Sequence, residues 1–216
     1  MNFAAARHNM VESQLRTNKV NDPAVLEAFD SVPREMFAPP ERRSLAYVDE
    51  DLAIARGRYL MEPMVLARLV QLAVLRPSAR ALDVGCGSGY SSAILARVAA
   101  SVVALESEPA LARQARAALA ELGLGNAHVV EGELPSGWPS GAPYDAILIN
   151  GMIEVLPPAL IEQLAEGGRL ACVQRRDGVG RATVMTKIDG VASSRVVFEA
   201  AVPPLPGFLA PAGFVF

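Results

Sequence analysis

Apolar positions recur first at helical spacing and then at strand spacing, and the order of the two sets the expected architecture. Met10, Val11 and Leu15 give residues 4 to 16 an apolar helical face. Asn21-Asp22-Pro23 is a helix start, with a capping carboxylate and a first-turn proline ahead of Val25, Leu26 and Phe29. Ser31-Val32-Pro33 ends that helix, Arg34 to Pro40 is a turn-rich connector, and Arg42 to Tyr47 follows. Tyr47 to Tyr59 has little periodicity, with short extended pieces expected around Leu52-Ala53-Ile54. Glu62-Pro63 opens a helix whose apolar face is Met64, Leu66, Leu69 and Val70, and Arg76-Pro77 stops it.

Beyond this point strands and helices alternate. Strands are expected at Ala81 to Val84, 101 to 105, His128 to Glu131, Tyr144 to Ile149 and Arg169 to Val173. Helices are expected at Gly89 to Val98, Glu108 to Leu122 and Pro158 to Leu164, with a loop from Gly132 to Pro143 and a turn at Gly167-Gly168. That alternation predicts an α/β fold with a mostly parallel central sheet flanked by helices. Ala182 to Ile188 and Ser194 to Ala200, joined at Asp189-Gly190, read as an antiparallel edge. Pro203 to Phe216 is rich in proline and glycine yet carries Phe208, Phe214 and Phe216, so it is expected to pack. No repeat or linker divides residues 1–216, which read as one domain: an N-terminal helical extension over 1–60 and a core over 61–216.

Composition narrows the function. Net charge is -3, which argues against a dedicated nucleic-acid partner needing a basic field. With 51% hydrophobic and 20% charged residues the chain reads as an ordinary folded protein, and the same hydrophobic content leaves monomer and homodimer both open. No apolar run approaches membrane-span length and the start lacks a signal-peptide core. The two cysteines, Cys86 and Cys172, suit a reducing compartment, so a cytoplasmic protein with no membrane partner is expected. Two isolated histidines, His8 and His128, and two cysteines make no metal site; no GKS/GKT or GxSxG follows any glycine turn.

The chemistry concentrates at LDVGCGSGYSSAILA, Leu82 to Ala96, a strand, glycine turn and helix in succession. Gly85 permits a sharp turn, Gly87 removes a Cβ where a ligand comes close, and Gly89 lets the helix sit near the strand. Glu106, 21 positions beyond Gly85, ends the next strand at the spacing where an acid meets a ribose diol; its alternative is a solvated strand end. Ligands of such sheets bind outside the carboxyl ends of the strands, which also selects Asp83, Glu133 and Asn150. Asp83 suits shaping of the turn or a cationic ligand, Glu133 an adenine amino group or water, and Asn150 the transferred group or the substrate. Cys86 and Ser88 complete the turn, and Tyr90 and Trp138 are rim aromatics or core residues.

GCGSGY with an acid on the second strand resembles class I S-adenosyl-L-methionine-dependent methyltransferases, with their Rossmann-like fold. Met10 to Leu15, Val32 to Phe37, Ala46-Tyr47, the Pro63 helix, Asn126 to Gly132 and Gln163 to Leu170 resemble protein-L-isoaspartate O-methyltransferases, over roughly residues 8 to 174. The resemblance implies S-adenosyl-L-methionine as cofactor and S-adenosyl-L-homocysteine as product. It further implies protein repair, by methylation of isoaspartyl carboxylates in peptides and proteins. It departs at 57 to 63, where a GQTISQP-like segment reads Gly57-Arg58-Tyr59-Leu60-Met61-Glu62-Pro63, and at Glu133, where the family carries aspartate. On the substrate side Tyr59 can replace a lost donor, Met61 offers none, and Arg58 can pair with the acceptor carboxylate. A different acceptor, or a non-catalytic homologue that still binds the cofactor, stays open. An open groove along Tyr59, Met61, Asn150 and the tail would favour an enzyme; a groove filled by Phe208, Phe214 or Phe216 would favour the non-catalytic form.

Overall fold

A computed structural model describes residues 1–210, so Phe214 and Phe216 lie outside the described residues. The apolar runs after residue 80 pair into one sheet. Its parallel strands are β3 (Arg80–Val84), β4 (Ser101–Glu106), β5 (Ala127–Glu131), β6 (Tyr144–Ile153) and β7 (Leu164–Arg176), and β8 (Val179–Ile188) and β9 (Val191–Glu199) continue it antiparallel. The order β5-β4-β3-β6-β7-β8-β9 turns back between β3 and β6, the crevice where ligands of such sheets bind. Helices α4 (Tyr90–Val98), α5 (Pro109–Glu121) and α6 (Pro158–Glu162) make three of the crossovers, and 3-10 turns at Leu134–Ser136 and Pro139–Gly141 lie in the one from β5 to β6. The expected mostly parallel sheet with an antiparallel edge is what forms.

Ahead of it lie α1 (Phe3–Met10), which runs on through a π turn at Val11–Leu15, and α2 (Pro23–Ser31). Asp22 caps α2 as its sequence predicts, accepting from the amides of Ala24 and Val25 at 2.9 and 3.2 Å. The connector is more ordered than expected, with 3-10 turns at Arg34–Phe37 and Pro40–Leu45. A separate antiparallel hairpin, β1 (Leu52–Ala55) and β2 (Arg58–Leu60), leads to α3 (Pro63–Leu72).

Two boundaries differ for identifiable reasons. Gly167-Gly168 is not a turn between elements but an irregularity inside β7, where the pairing steps from Tyr144–Leu164 to Ala146–Arg169. Gly167 takes φ +74°, and a Cβ on Gly168 would stand 2.8 Å from the Ala165 carbonyl oxygen, so both need glycine. β6 outruns Ile149 because the tail gives it a partner: Met152 N–H donates to Pro203 O at 2.9 Å and Leu205 N–H to Met152 O at 2.8 Å. The expectation that the tail packs is met by Leu205 and Phe208, buried with Leu82, Val84, Leu105 and Ile149.

Arg34 joins the N-terminal layer to the core. It is fully buried, donating from Nε to Ala46 O at 2.6 Å and from Nη2 to Met61 O at 2.9 Å. Its guanidinium lies 4.8 Å from the centroid of the Tyr90 ring, which also meets Phe29 and Phe37 edge-on. Replacing it strands two buried carbonyls and opens a void. Arg34→Ala is expected to cost about 3 kcal/mol in urea unfolding. Arg34→Lys should recover less than half of that, because an ammonium cannot span both acceptors. A loss below about 0.5 kcal/mol for Arg34→Ala would show that the carbonyls find other partners.

Candidate functional site

β3 ends at Val84, and the chain turns through Gly85-Cys86-Gly87-Ser88-Gly89 into α4. Gly85, Gly87 and Gly89 take φ values of +74°, +59° and +99°, a region that L side chains avoid. A Cβ on Gly89 would stand 3.0 Å from Ala115 Cβ, so this glycine admits the neighbouring α5 rather than its own strand. Ser88 is buried, and its hydroxyl donates to Phe37 O at 2.7 Å, tying the turn to the N-terminal layer.

Glu106 closes β4 with no exposed surface. Its Oε2 accepts from Gly87 N–H at 2.7 Å, and its Oε1 from Ser107 N–H at 2.8 Å and Glu108 N–H at 3.0 Å. The sequence reading of a solvated strand end is therefore set aside. From β2, the Arg58 guanidinium, 4% exposed, completes the shell: Nη1 donates to Oε1 and Nη2 to Oε2 at 2.6 Å. A carboxylate offers about four lone-pair sites, and here all are engaged. In this arrangement Arg58 pairs with a carboxylate of its own chain, where the sequence reading gave it to the acceptor.

Asp83 is equally buried. Its Oδ2 accepts from the hydroxyls of Ser91 and Ser92 at 2.7 and 2.5 Å, and its Oδ1 from Asn150 Nδ2. This network pins the start of α4 to the end of β3 and to Asn150 within β6. Burial pushes the Asp83 carboxyl up to about 6, with the two serines and Asn150 opposing the shift. The structure brings together the turn, Asp83, Asn150, Glu106 and Arg58, but leaves Glu133 exposed beyond β5. Tyr90 is a core residue, 1% exposed, and the Cys86 thiol is buried and pushed well up by that burial. Trp138 is half-buried, packed against the second core cluster. Tyr59 is 39% exposed on β2, while Met61 is buried and engaged through its carbonyl by Arg34.

Two residues with no sequence signal complete the site. A Cβ on Gly85 would stand 3.0 Å from Leu205 Cδ1, and one on Gly87 2.8 Å from Ile54 Cδ1. The groove among Asp51, Arg58, Tyr59, Met61, Asn150 and Leu205 encloses about 10 Å³. That is about the room of a single water. A wider cleft of about 550 Å³ reaches the turn through Ser88, but neither Glu106 nor Asn150 is among its described lining residues. A nucleoside-sized ligand does not fit at Glu106 while Arg58 holds it. The groove is filled, though by Arg58 and Leu205 rather than by Phe208.

Comparison with known proteins decides what this cradle belongs to. Residues 6–204 match the family Protein-L-isoaspartate(D-aspartate) O-methyltransferase (PCMT). The chain belongs to this family. It is 44% identical over 182 residues to Protein-L-isoaspartate O-methyltransferase 2 of Anaeromyxobacter sp. (strain Fw109-5), covering 84% of this chain and 75% of the relative. It is 46% identical over 168 residues to Protein-L-isoaspartate O-methyltransferase 1 of Rhodopseudomonas palustris (strain HaA2), covering 78% and 69%. A solved protein-L-isoaspartate O-methyltransferase superposes with a TM-score of 0.80 at 25% identity, over 93% of this chain and 66% of that one. A Plasmodium falciparum beta-aspartate methyltransferase (PCMT) in complex with S-adenosyl-L-homocysteine gives the same fold, with a TM-score of 0.80 at 22% identity over 92% and 97%. No helix among the described residues is long and apolar enough to cross a membrane.

Three carboxyls around this family member's site have raised pKa values. Burial lifts Asp83 and Asp51 from 3.8 to about 6 and Glu62 from 4.5 to about 7, with Asp51 and Asp49 adding repulsion at Glu62. The folded form therefore binds protons more tightly than the unfolded chain. The associated stability is full below about pH 4 and is lost as pH rises through 6 to 7. The thermal midpoint should be higher at about pH 5.5 than at pH 8, and Asp51→Asn with Glu62→Gln should flatten that difference. A midpoint that climbs over this range would contradict the assignment.

Proposed function

We propose that this chain transfers a methyl group from S-adenosyl-L-methionine to the carboxylate of L-isoaspartyl residues in damaged proteins, releasing S-adenosyl-L-homocysteine. The family match over residues 6–204 carries this reading. Glu106 at the carboxyl end of β4 and the three positive-φ glycines after β3 support the cofactor side. In this reading Gly85, Gly87, Glu106 and Asn150 face the cofactor, Glu133 reaches its base, and Asp83, Cys86, Ser88, Gly89 and Tyr90 hold the turn in shape. Tyr59 and Met61 flank the acceptor. An acceptor carboxylate is already anionic at neutral pH, so the chain has only to orient and dry it, with no general base required. The buried, unpaired Cys86 and Cys172 support a reducing compartment, the cytoplasm.

A second reading, a family member that binds the cofactor without transferring its methyl group, differs from the first only in turnover. Methyl-ester formation separates the two. An isoaspartyl peptide and its normal-aspartyl twin are incubated with labelled S-adenosyl-L-methionine, and the expected result is ester on the isoaspartyl peptide alone. Equal labelling of both peptides, or cofactor binding with no labelling of either, would overturn the proposed activity.

A further inference from the structure

We propose that Arg58 is a built-in competitor for the methyl donor: its guanidinium occupies the carboxylate that the donor's ribose requires, and the donor enters only when the β1–β2 hairpin withdraws Arg58 and Leu205 gives way. The inference rests on the family reading of the preceding subsection and adds a control to its cofactor site.

Chemistry makes the two occupants exclusive. A ribose diol donates two hydrogens to an acid at the end of the second strand. Arg58 donates to both oxygens of that acid in a planar fork, and the amides of Gly87, Ser107 and Glu108 crowd the same two oxygens, leaving no acceptor site vacant. A diol therefore gains a place only if Arg58 leaves. Space makes the same demand, because Leu205 and Ile54 cover the two glycines past which a cofactor must approach.

The occupying groups are delivered by pieces that can move without breaking the main sheet. Among the described residues β1 and β2 pair only with each other, and Gly57, at φ +70°, supplies the turn between them. Leu205 lies outside the sheet's strands, held beside β6 by its N–H donating to Met152 O at 2.8 Å, next to the Met152–Pro204 bridge, and by side-chain packing on Leu82 and Val84. Withdrawal of Arg58 alone would leave Glu106 buried without a counter-charge, so the closed form dominates in the absence of ligand. Apparent affinity for the donor falls by the fraction of molecules that are open.

The test is calorimetry of S-adenosyl-L-homocysteine and S-adenosyl-L-methionine on the full-length protein, wild type and Arg58→Gln, each checked for cooperative melting. Glutamine keeps the stem and one donor group but loses the charge and the fork. Arg58→Gln should bind at least about tenfold more tightly than wild type, and Arg58→Lys should fall between them. Should Arg58→Gln fail to fold, Leu205→Ala, which spares the ion pair and clears Gly85, should tighten binding by a smaller factor. Binding by Arg58→Gln equal to or weaker than wild type overturns the competition. So does absence of binding in both proteins, since release of Arg58 then opens nothing. Isoaspartyl turnover separates the two proposals. Equal binding with turnover leaves the activity standing without the competitor, whereas tighter binding without turnover leaves the competitor and removes the activity.

Discussion

Glu106 is a charge with no water around it, and the upper edge of the sheet is arranged to meet that charge. An uncompensated buried carboxylate costs several kcal/mol. Three backbone amides and one guanidinium offset this cost, and they come from three pieces of chain: the glycine turn, the start of α5 and the β1–β2 hairpin. The amides of Ser107 and Glu108 precede α5, so the carboxylate also lies at the positive end of that helix. The Gly87 amide can reach Oε2 only because the turn adopts positive φ on either side of Cys86. Turn geometry, strand end and hairpin position thus follow from one buried acid.

Sequence legibility divides along the same line. Local pattern carried the alternation of strands and helices, the Asp22 cap, the antiparallel edge and the pairing of the glycine turn with Glu106, because each depends on residues within one or two neighbouring elements. Arg58 was legible as a departure but not as the partner of Glu106. The two are 48 positions apart, and Arg58 sits in a stretch with no period to orient its side chain. Leu205, between prolines in an irregular tail, gave no signal at all, and the lengthening of β6 by its pairing with that tail was equally hidden. Gly167-Gly168 misled for a different reason. A glycine pair permits a turn and a bulge alike, and only the pairing partner, Tyr144, decides between them.

The two sides of the glycine turn are held unequally. On the N-terminal side, Ser88 is bonded to Phe37, Tyr90 packs against Phe29 and Phe37, and Arg34 bridges to Ala46 and Met61, so the layer below the turn is continuous with the core. On the hairpin side, the described contacts with the turn and Glu106 are Ile54 against Gly87 and the Arg58 ion pair. A closed ion pair at low dielectric is directional and strong while intact, but it lacks the many small contacts that make packed helices yield only as a whole. The firm side preserves the cradle's shape while the hairpin side changes its occupancy.

Register in the hairpin then decides more than occupancy. Side chains along β2 alternate, with Arg58 and Leu60 buried and Tyr59 exposed between them. The pairing Leu52–Leu60 and Ala53–Tyr59 shifts before Ala55–Arg58, so an irregularity in β1 lies directly opposite the arginine. A slip of one residue would turn Tyr59 inward and Arg58 out to solvent, because strand side chains alternate with a period of two. The buried acid opposes that slip, since a phenol offers Glu106 one donor where the guanidinium offers a fork. The ion pair therefore fixes which face of the hairpin lies against Glu106 and leaves Tyr59, not Arg58, as the side chain presented outward.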